Sequence, residues 1–502
     1  MDDRLNNVLN TVKKEDQCLH AMRLIEFDMQ TSCPEMGMNK EGELIAEIEK
    51  QAFRIRNDEK FIEDVLELYR EKETLDEYER ALIEKRYRTY LTEKNMSDEI
   101  SHRHSLIEKQ AYADWSIAKE KKDFSLFSES LGKVININRE RIDLRELGEG
   151  ESFACGYDIL LDRFERGITV KDLDRLFDGM KERLTVLLEK IRNSKKKIRT
   201  DFLSIPATFE QQQKAADFLK ELMGLDPKRS ALRVCSHAFS DRMERDDVRL
   251  TTYFLPDLFT SNIYSILHEG GHSLFELLSP YEDSDWFIYD NKTLGMHESV
   301  SRFYENVLGR SKDFIRLVYP EFQKIFPQIL RDVSCDELYE AVNCVTPSLI
   351  RTEADEVTYP LHILIRYELE KGIFEEGLKV EELPERWNRK YGEYLGVTPG
   401  SESEGILQDV HWSSDFGYFP TYAVGNFYNA MYIGRMKKEI DVHSLIKNGD
   451  IRGINRWMQD NVFLKADRLT PKEWIRDITG RELTCDDYMD YLEGKYSEVY
   501  EL

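Results

Sequence analysis

Apolar side chains recur at the 3.6-residue period of an α-helix along much of this 502-residue sequence, which contains only 13 prolines and 26 glycines. The clearest example is 170–191, which begins after Thr169 with Asp172 placed as in a capping box. A second helix is predicted over about 208–223, with Gly224 as its stop. The pattern predicts a mainly helical fold.

One alternating stretch, at 247–254, interrupts the helical pattern. The alternation predicts a strand with two faces, formed by Val248, Leu250 and Thr252 and by Arg249, Thr251 and Tyr253. If this strand lies at the edge of a sheet, a peptide backbone could pair along it as an added strand.

Composition excludes several classes of function. The chain is 41% apolar and 33% charged, typical of a globular protein, and no apolar run is long enough to span a bilayer. A net charge of −25 without a basic patch argues against nucleic-acid binding. The seven cysteines are far apart, and the N-terminus does not resemble a secretory signal. These features lead us to expect a cytoplasmic protein with reduced thiols.

The segment YSILHEGGHSLF contains the pattern H-E-x-x-H, at His268, Glu269 and His272. On a helix, residues four apart share a face, so both imidazoles can bind one metal ion while Glu269 acts on a water molecule. Gly270 and Gly271 each cost a helix about 1 kcal/mol relative to alanine. Their presence predicts a close backbone approach, either by another element of the protein or by substrate.

A catalytic zinc site usually has three protein ligands and one open position. Glu298, in the segment LGMHESVSRFYENVLGRS, is the predicted third ligand. Partners that hold ligand side chains in place are expected nearby, and His297, Ser301 and Glu305 are the candidates.

Several segments between about 235 and 430 together resemble the carboxypeptidase Taq family of zinc metallopeptidases. They are D-x-R-x-T at 247–251, HEGGH at 268–272, HES at 297–299, I-R-x-x-A-D at 350–355, G-x-x-Q-D-x-H-W at 405–412 and GYFPTYAVGN at 417–426. Two departures concern substrate preference: Val300 stands where the family usually has Gln, and Ala238 stands where it has Pro.

The resemblance implies a mainly α, bundle-like molecule with a deep central cleft, the HEGGH helix at its floor and a small β-sheet beside it. We expect one unit over 1–502, with an N-terminal helical lobe over about 1–200 and a catalytic lobe over about 201–502. The family releases single residues from peptide C-termini and is usually homodimeric. It uses Zn²⁺, for which Co²⁺ often substitutes.

The resemblance also suggests roles for individual residues. Glu269 is expected to take a proton from water and pass it to the leaving amine. His411 and Tyr422 resemble the pair that stabilises the oxyanion in related peptidases, with Tyr418 in reserve. Arg351 is the first candidate to bind the substrate carboxylate, because a guanidinium binds carboxylates bidentately.

Alternatives remain open at this stage. Arg351 could instead form an ion pair with Glu353 or Asp355, and Arg249 could be the carboxylate clamp or could hold its strand. An oligopeptidase that cuts internally would use the same metal site. A peptide-binding scaffold without activity is disfavoured by the intact ligand set, and an aminopeptidase by the lack of an acidic exopeptidase motif.

Overall fold

A computed structural model describes residues 2–235 and 237–502, and the predicted mainly α fold is confirmed. The helix at 170–193 starts at Thr169, which forms the expected capping box with Asp172, and the helix at 209–223 ends at Gly224. The helices before the sheet are α1 (Asp3–Thr31), α2 (Met38–Arg56), α3 (Glu59–Arg70), α4 (Glu77–Glu93), α5 (Asp98–Lys121), α6 (Ser125–Leu144), α7 (Gly156–Asp162), α8 (Val170–Asn193) and α9 (Phe209–Met223).

A small sheet follows α9 and consists of β1 (Ser230–Val234), β2 (Ser240–Glu244) and β3 (Asp247–Thr252). The strand order is β1-β3-β2, with β1 parallel and β2 antiparallel to β3. The predicted strand exists, and β3 is paired on both sides, so the edge position that pairing with a peptide would require is not available on β3. Alternation of apolar residues reports burial of one face and carries no information on the number of neighbouring strands.

The remaining helices form the body around the sheet, with π-helical turns at Phe303–Leu308 and Gln459–Phe463. They are α10 (Phe259–Leu278), α11 (Tyr281–Asp285), α12 (Leu294–Arg302), α13 (Lys312–Ile325), α14 (Pro327–Leu330), α15 (Cys335–Val342), α16 (Tyr359–Glu375), α17 (Leu383–Tyr394), α18 (Pro420–Glu439), α19 (Val442–Lys447), α20 (Ile451–Met458), α21 (Pro471–Thr479) and α22 (Asp486–Tyr500). Within the described part of the chain, no helix is long and apolar enough to cross a membrane.

Among residues 2–235 and 237–502, buried apolar side chains form two separate cores. The smaller core joins α1, α3 and α4 to the loop residue Ile288, through side chains such as Val8, Val65 and Leu82. The larger core already includes Ala111 on α5 and continues to α22. Helices α1, α3 and α4 therefore have an apolar core of their own, and the larger core begins with α5.

Helix α12 packs between α10 and α18, and its backbone comes very close to both neighbouring helices. A Cβ atom at Gly425 on α18 would lie 3.0 Å from Cβ of Glu298 and 3.0 Å from the backbone nitrogen of Ser299. The side chain of Thr252 on β3 donates a hydrogen bond to Asn262 of α10 at 2.9 Å. The sheet and α18 thus fix the two helices that carry the H-E-x-x-H and HES segments.

Candidate metal centre and substrate cleft

Three side chains with metal-ligating atoms meet between α10 and α12. The Nε2 atoms of His268 and His272 lie 3.7 Å and 3.9 Å from Oε2 of Glu298. Ligand atoms around one zinc ion at about 2.1 Å lie roughly 3.4 Å apart, so this set fits one ion after a small contraction. Over residues 2–235 and 237–502, no other group of three such residues comes as close together.

Neighbouring helices closely approach both glycines of the H-E-x-x-H helix. A Cβ at Gly271 would lie 2.8 Å from Cα of Ser301 and 3.1 Å from the carbonyl oxygen of Val300, both on α12. A Cβ at Gly270 would lie 2.6 Å from the side chain of Met223 on α9. Of the two explanations left open by the sequence, the structure supports close approach by other elements of the protein.

Side chains that follow Glu298 hold the ligand groups in place. Oε2 of Glu305 lies 2.9 Å from Nδ1 of His268, which leaves Nε2 of that ring free for a metal. Ser301 Oγ and Arg302 Nε donate to the carboxylate of Glu298 at 3.3 Å and 2.6 Å. Glu305 lies in the first π-helical turn, a local geometry that is frequent at functional sites.

Carboxylates around His268 favour a positive charge at this position. Burial disfavours the imidazolium, but Glu298, Glu305 and Glu269 together raise the pKa of His268 to about 9. Burial and the charge of His268 hold the pKa of His272 well below its usual value. Burial also raises the pKa of Glu269 to about 7. A site that stabilises a cation suits a divalent metal, whose charge replaces the proton on His268.

Glu276, four residues after His272, was not identified from the sequence. Its carboxylate lies 3.0 Å from Nε2 of His297 and 3.1 Å from Nη1 of Arg242. Burial works against ionisation, but the nearby charges of Lys292, His297 and Arg242 hold the pKa of Glu276 below its usual range. His297 therefore contacts Glu276 and not a ligand imidazole, although its ring lies 5.5 Å from that of His272. Its position four residues after His272, on the same face of α10, is the feature of the sequence from which Glu276 could have been predicted.

The structure brings His411, Tyr418 and Tyr422 together beside the metal residues. The hydroxyl of Tyr422 lies 3.4 Å from Nε2 of His411, and the ring centres of Tyr418 and His411 are 5.0 Å apart. Burial lowers the pKa of His411 to about 4 and raises the pKa of Tyr422 well above its usual value. At neutral pH the histidine is therefore uncharged, and the tyrosine keeps the proton that it needs as a hydrogen-bond donor.

Arg351 is buried next to this pair, and its side chain binds Asp409. The Nε–Oδ1 distance is 2.9 Å, and the guanidinium lies 5.1 Å from the centre of the Tyr422 ring. The second oxygen of Asp409 is 2.6 Å from Nη2 of Arg366. Burial opposes the negative charge, but the two guanidiniums hold the pKa of Asp409 below its usual range. Arg351 and Arg366 carry two positive charges against the single negative charge of Asp409, so this group keeps a net positive charge.

The ion pairs with Glu353 or Asp355 that the sequence left open for Arg351 are not formed. Oδ1 of Asp355 instead accepts hydrogen bonds from the backbone nitrogens of Val357 and Thr358 at 3.0 Å and 2.9 Å, ahead of α16. The observed partner, Asp409, belongs to the G-x-x-Q-D-x-H-W segment, and sequence alone did not connect the two motifs.

Arg249 is bound within its own strand and is not among the residues that line the cavity described below. Its Nε and Nη2 atoms bond both carboxylate oxygens of Asp247, at 2.9 Å and 2.7 Å, and its guanidinium lies over the ring of Phe27 on α1. Thr251 accepts a hydrogen bond from the backbone nitrogen of Phe239 at 2.9 Å. The D-x-R-x-T segment therefore joins β3 to α1 and to the loop before β2, which favours its role in holding the strand.

A cavity of about 410 Å³ extends from the metal residues to β2 and α1. Its walls include His272, Glu298, Tyr418, Tyr422, Ser240, Asp241 and Arg23. Because β2 is an edge strand that faces this cavity, the strand available for pairing with a peptide is β2 and not β3.

Comparison with known proteins identifies the family. The model of the carboxypeptidase Taq (M32) metallopeptidases matches residues 7–496. The chain belongs to this family. It is 36% identical over 491 residues to carboxypeptidase 1 of Bacillus subtilis, with 97% of each chain covered. It is 36% identical over 399 residues to thermostable carboxypeptidase 1 of Thermus thermophilus, with 78% of each covered.

Solved structures agree with this assignment. The M32 carboxypeptidase of Deinococcus radiodurans superposes with a TM-score of 0.95 at 26% identity, and all of both chains is covered. The family resemblance inferred from the motifs is confirmed, and the chain is a metallocarboxypeptidase that removes single residues from the free C-termini of peptides. Val300, the departure from the family motif, is fully buried in the larger core and does not line the cavity.

Proposed function

We propose that this metallocarboxypeptidase uses zinc, held by His268, His272 and Glu298, and that Glu269 is its general base. The convergence of these ligand atoms within 4.8 Å is the observation that carries the proposal. Nitrogen ligands from two histidines and one carboxylate are a common set for catalytic zinc, and cobalt accepts the same donors.

A metal held by these three residues would be the Lewis acid that polarises the scissile carbonyl and lowers the pKa of a water molecule toward about 7. Glu269, adjacent in sequence to His268 and buried, accepts the proton of that water and passes it to the leaving amine. Tyr422 donates its hydroxyl proton in a hydrogen bond to the developing oxyanion, and neutral His411 beside it orients that hydroxyl.

Arg351 supplies the positive charge that distinguishes an exopeptidase from an endopeptidase. Asp409 neutralises only one of the two guanidiniums that it contacts, so a substrate carboxylate next to Arg351 restores the charge balance. The short distance from Arg351 to the ring of Tyr422 places this charge one side chain away from the proposed oxyanion donor.

The experiment compares peptides with free and amidated C-termini, with products identified by mass spectrometry with and without chelator. Stepwise release of C-terminal residues from the free acids alone, lost with chelator and restored by Zn²⁺ or Co²⁺, is the expected result. Arg351→Ala should lower kcat/KM for free acids by about 100-fold, the scale of a lost buried charge contact. Arg249→Ala is the matched control, and we expect it to cost less than about tenfold because Asp247, in the same strand, already binds that guanidinium through both of its oxygens.

Internal cleavage of both peptide forms would move the assignment to an oligopeptidase and remove the carboxylate role from Arg351. Restoration by Mg²⁺ alone would contradict zinc, because magnesium prefers oxygen ligands.

We also propose a cytoplasmic homodimer, from the family resemblance and the dispersed free cysteines. Light scattering of the purified protein gives its mass directly, and a monomer at micromolar concentration would contradict the dimer.

A further inference from the structure

Edge strand β2 presents a carboxylate to the substrate cavity without a close cation. Asp241 lines the same cavity as His272 and Glu298. Among the described residues, no side chain donates a hydrogen bond to its carboxylate, and no cation comes within ion-pair distance. The other acidic residues of this cavity wall have partners: Glu276 contacts Arg242 and His297, Asp290 contacts Lys85, and Glu298 contacts Arg302.

The surroundings of Asp241 carry an excess of negative charge. Its neighbour across the β2–β3 ladder is Arg249, but that guanidinium is bound to Asp247. The other nearby cation, Arg23 of α1, lies 3.6 Å from Asp16 and donates to Tyr289 at 3.2 Å. Glu26 of α1 adds a further carboxylate near Asp241, although it does not line the cavity. Four carboxylates thus face two guanidiniums, in the group Asp16, Glu26, Asp241, Asp247, Arg23 and Arg249.

Burial disfavours the negative charge on two of these carboxylates. Burial, opposed by Arg23 and reinforced by Glu26, raises the pKa of Asp241 to about 6. Burial likewise raises the pKa of Glu26. Asp241 is still mostly ionised at neutral pH, so the cavity holds a desolvated negative charge that an incoming cation would stabilise.

We propose that Asp241 is a specificity-determining residue that selects peptides with a cationic side chain, lysine or arginine, beside the scissile bond. The carboxylate lies on the edge strand that faces the metal-site cavity, and a cation there balances a charge that the protein leaves without a close partner. That cationic side chain belongs either to the C-terminal residue of the peptide or to the residue before it.

The test uses two series of N-blocked tripeptides with lysine, norleucine or glutamate at either the last or the penultimate position. Norleucine has the shape of lysine without its charge, so the lysine-to-norleucine ratio of kcat/KM isolates the charge. We expect a ratio of about 10 or more for the wild-type protein at one of the two positions, a normal size for a charge contact. Glutamate should be the poorest substrate there. Cleavage of the norleucine peptides establishes the carboxypeptidase reaction independently of this preference.

Asp241→Asn should reduce the ratio to below about 2, whereas Asp241→Glu, which keeps the charge, should retain most of it. Each ratio is measured within one preparation, so partial loss of folded protein cancels. Glu26→Gln is the matched control, because it removes an equal charge nearby but from a residue that does not line the cavity. A wild-type ratio near one at both positions would overturn the proposal. It would also be overturned by a ratio that persists in Asp241→Asn or that falls equally in Glu26→Gln.

Discussion

Replacing Gly271 with alanine is expected to push α12 away from α10 and to distort the metal site. The added Cβ would lie 2.8 Å from Cα of Ser301 and 3.1 Å from the carbonyl oxygen of Val300, and neither backbone atom can turn aside. Carbon atoms rest about 3.5 Å apart, so α12 has to move by roughly 0.7 Å. Glu298 lies one turn before Ser301 on α12 and moves with the helix.

The magnitude follows from two opposing effects. Overpacking of a core costs about 1–3 kcal/mol, whereas alanine in place of glycine inside a helix gains about 1 kcal/mol. We therefore expect a net loss of about 1 kcal/mol in the free energy of unfolding of Gly271→Ala. The effect on catalysis is larger, about 100-fold in kcat/KM, because a shift approaching 1 Å misplaces reacting groups.

Gly270→Ala provides the matched control on the same helix. Its Cβ would meet Sδ and Cε of Met223, which form the far end of a flexible side chain and can move. We expect unchanged or slightly higher stability and activity within about threefold of wild type. The assays are zinc content after dialysis, kcat/KM and urea unfolding. Equal behaviour of the two variants would refute the idea that backbone contact at Gly271 sets the distance between the ligands.

Three further predictions concern single side chains. Glu269→Gln should keep its metal but lose about 100-fold or more in kcat, and near-normal turnover with full zinc would remove the general-base role. Glu305→Gln weakens the hydrogen bond to Nδ1 of His268, so zinc affinity measured by chelator competition should fall by about 10- to 100-fold; an unchanged affinity would contradict the positioning role. The pKa of His411 is about 4 in the folded protein, whereas that of an ordinary histidine is 6.5. Between pH 4 and pH 6.5, His411 is therefore protonated in the unfolded chain but not in the folded protein. Stability should therefore fall as pH drops from 6.5 to 4, by up to about 3 kcal/mol from this group. Urea unfolding at both pH values should show a smaller fall for His411→Gln, and an equal fall would contradict the assignment.

The sequence predicted features that depend on neighbours along the chain. The helix at 209–223 starts and ends where its capping residues indicate, because backbone groups at a helix end bond to side chains a few residues away. The two histidines of H-E-x-x-H share a face for the same local reason. Glu298 was predicted as the third ligand from its place in the downstream HES segment, and it lies beside His268 and His272.

Tertiary structure decided the features that join distant segments. Arg351 binds Asp409, 58 residues away, although closer carboxylates at Glu353 and Asp355 were available. The strand that the sequence predicts is central in its sheet, and β2, which was not predicted, faces the cavity with Asp241.

The physical reason is the range of the interactions. Helix propensity and capping act over about four residues and can be read from spacing. Which strands pair, which carboxylate meets which guanidinium and which charge is left facing the substrate depend on the packing of the whole core. That packing is a sum of many weak contacts between residues far apart in the sequence, and no single motif specifies it.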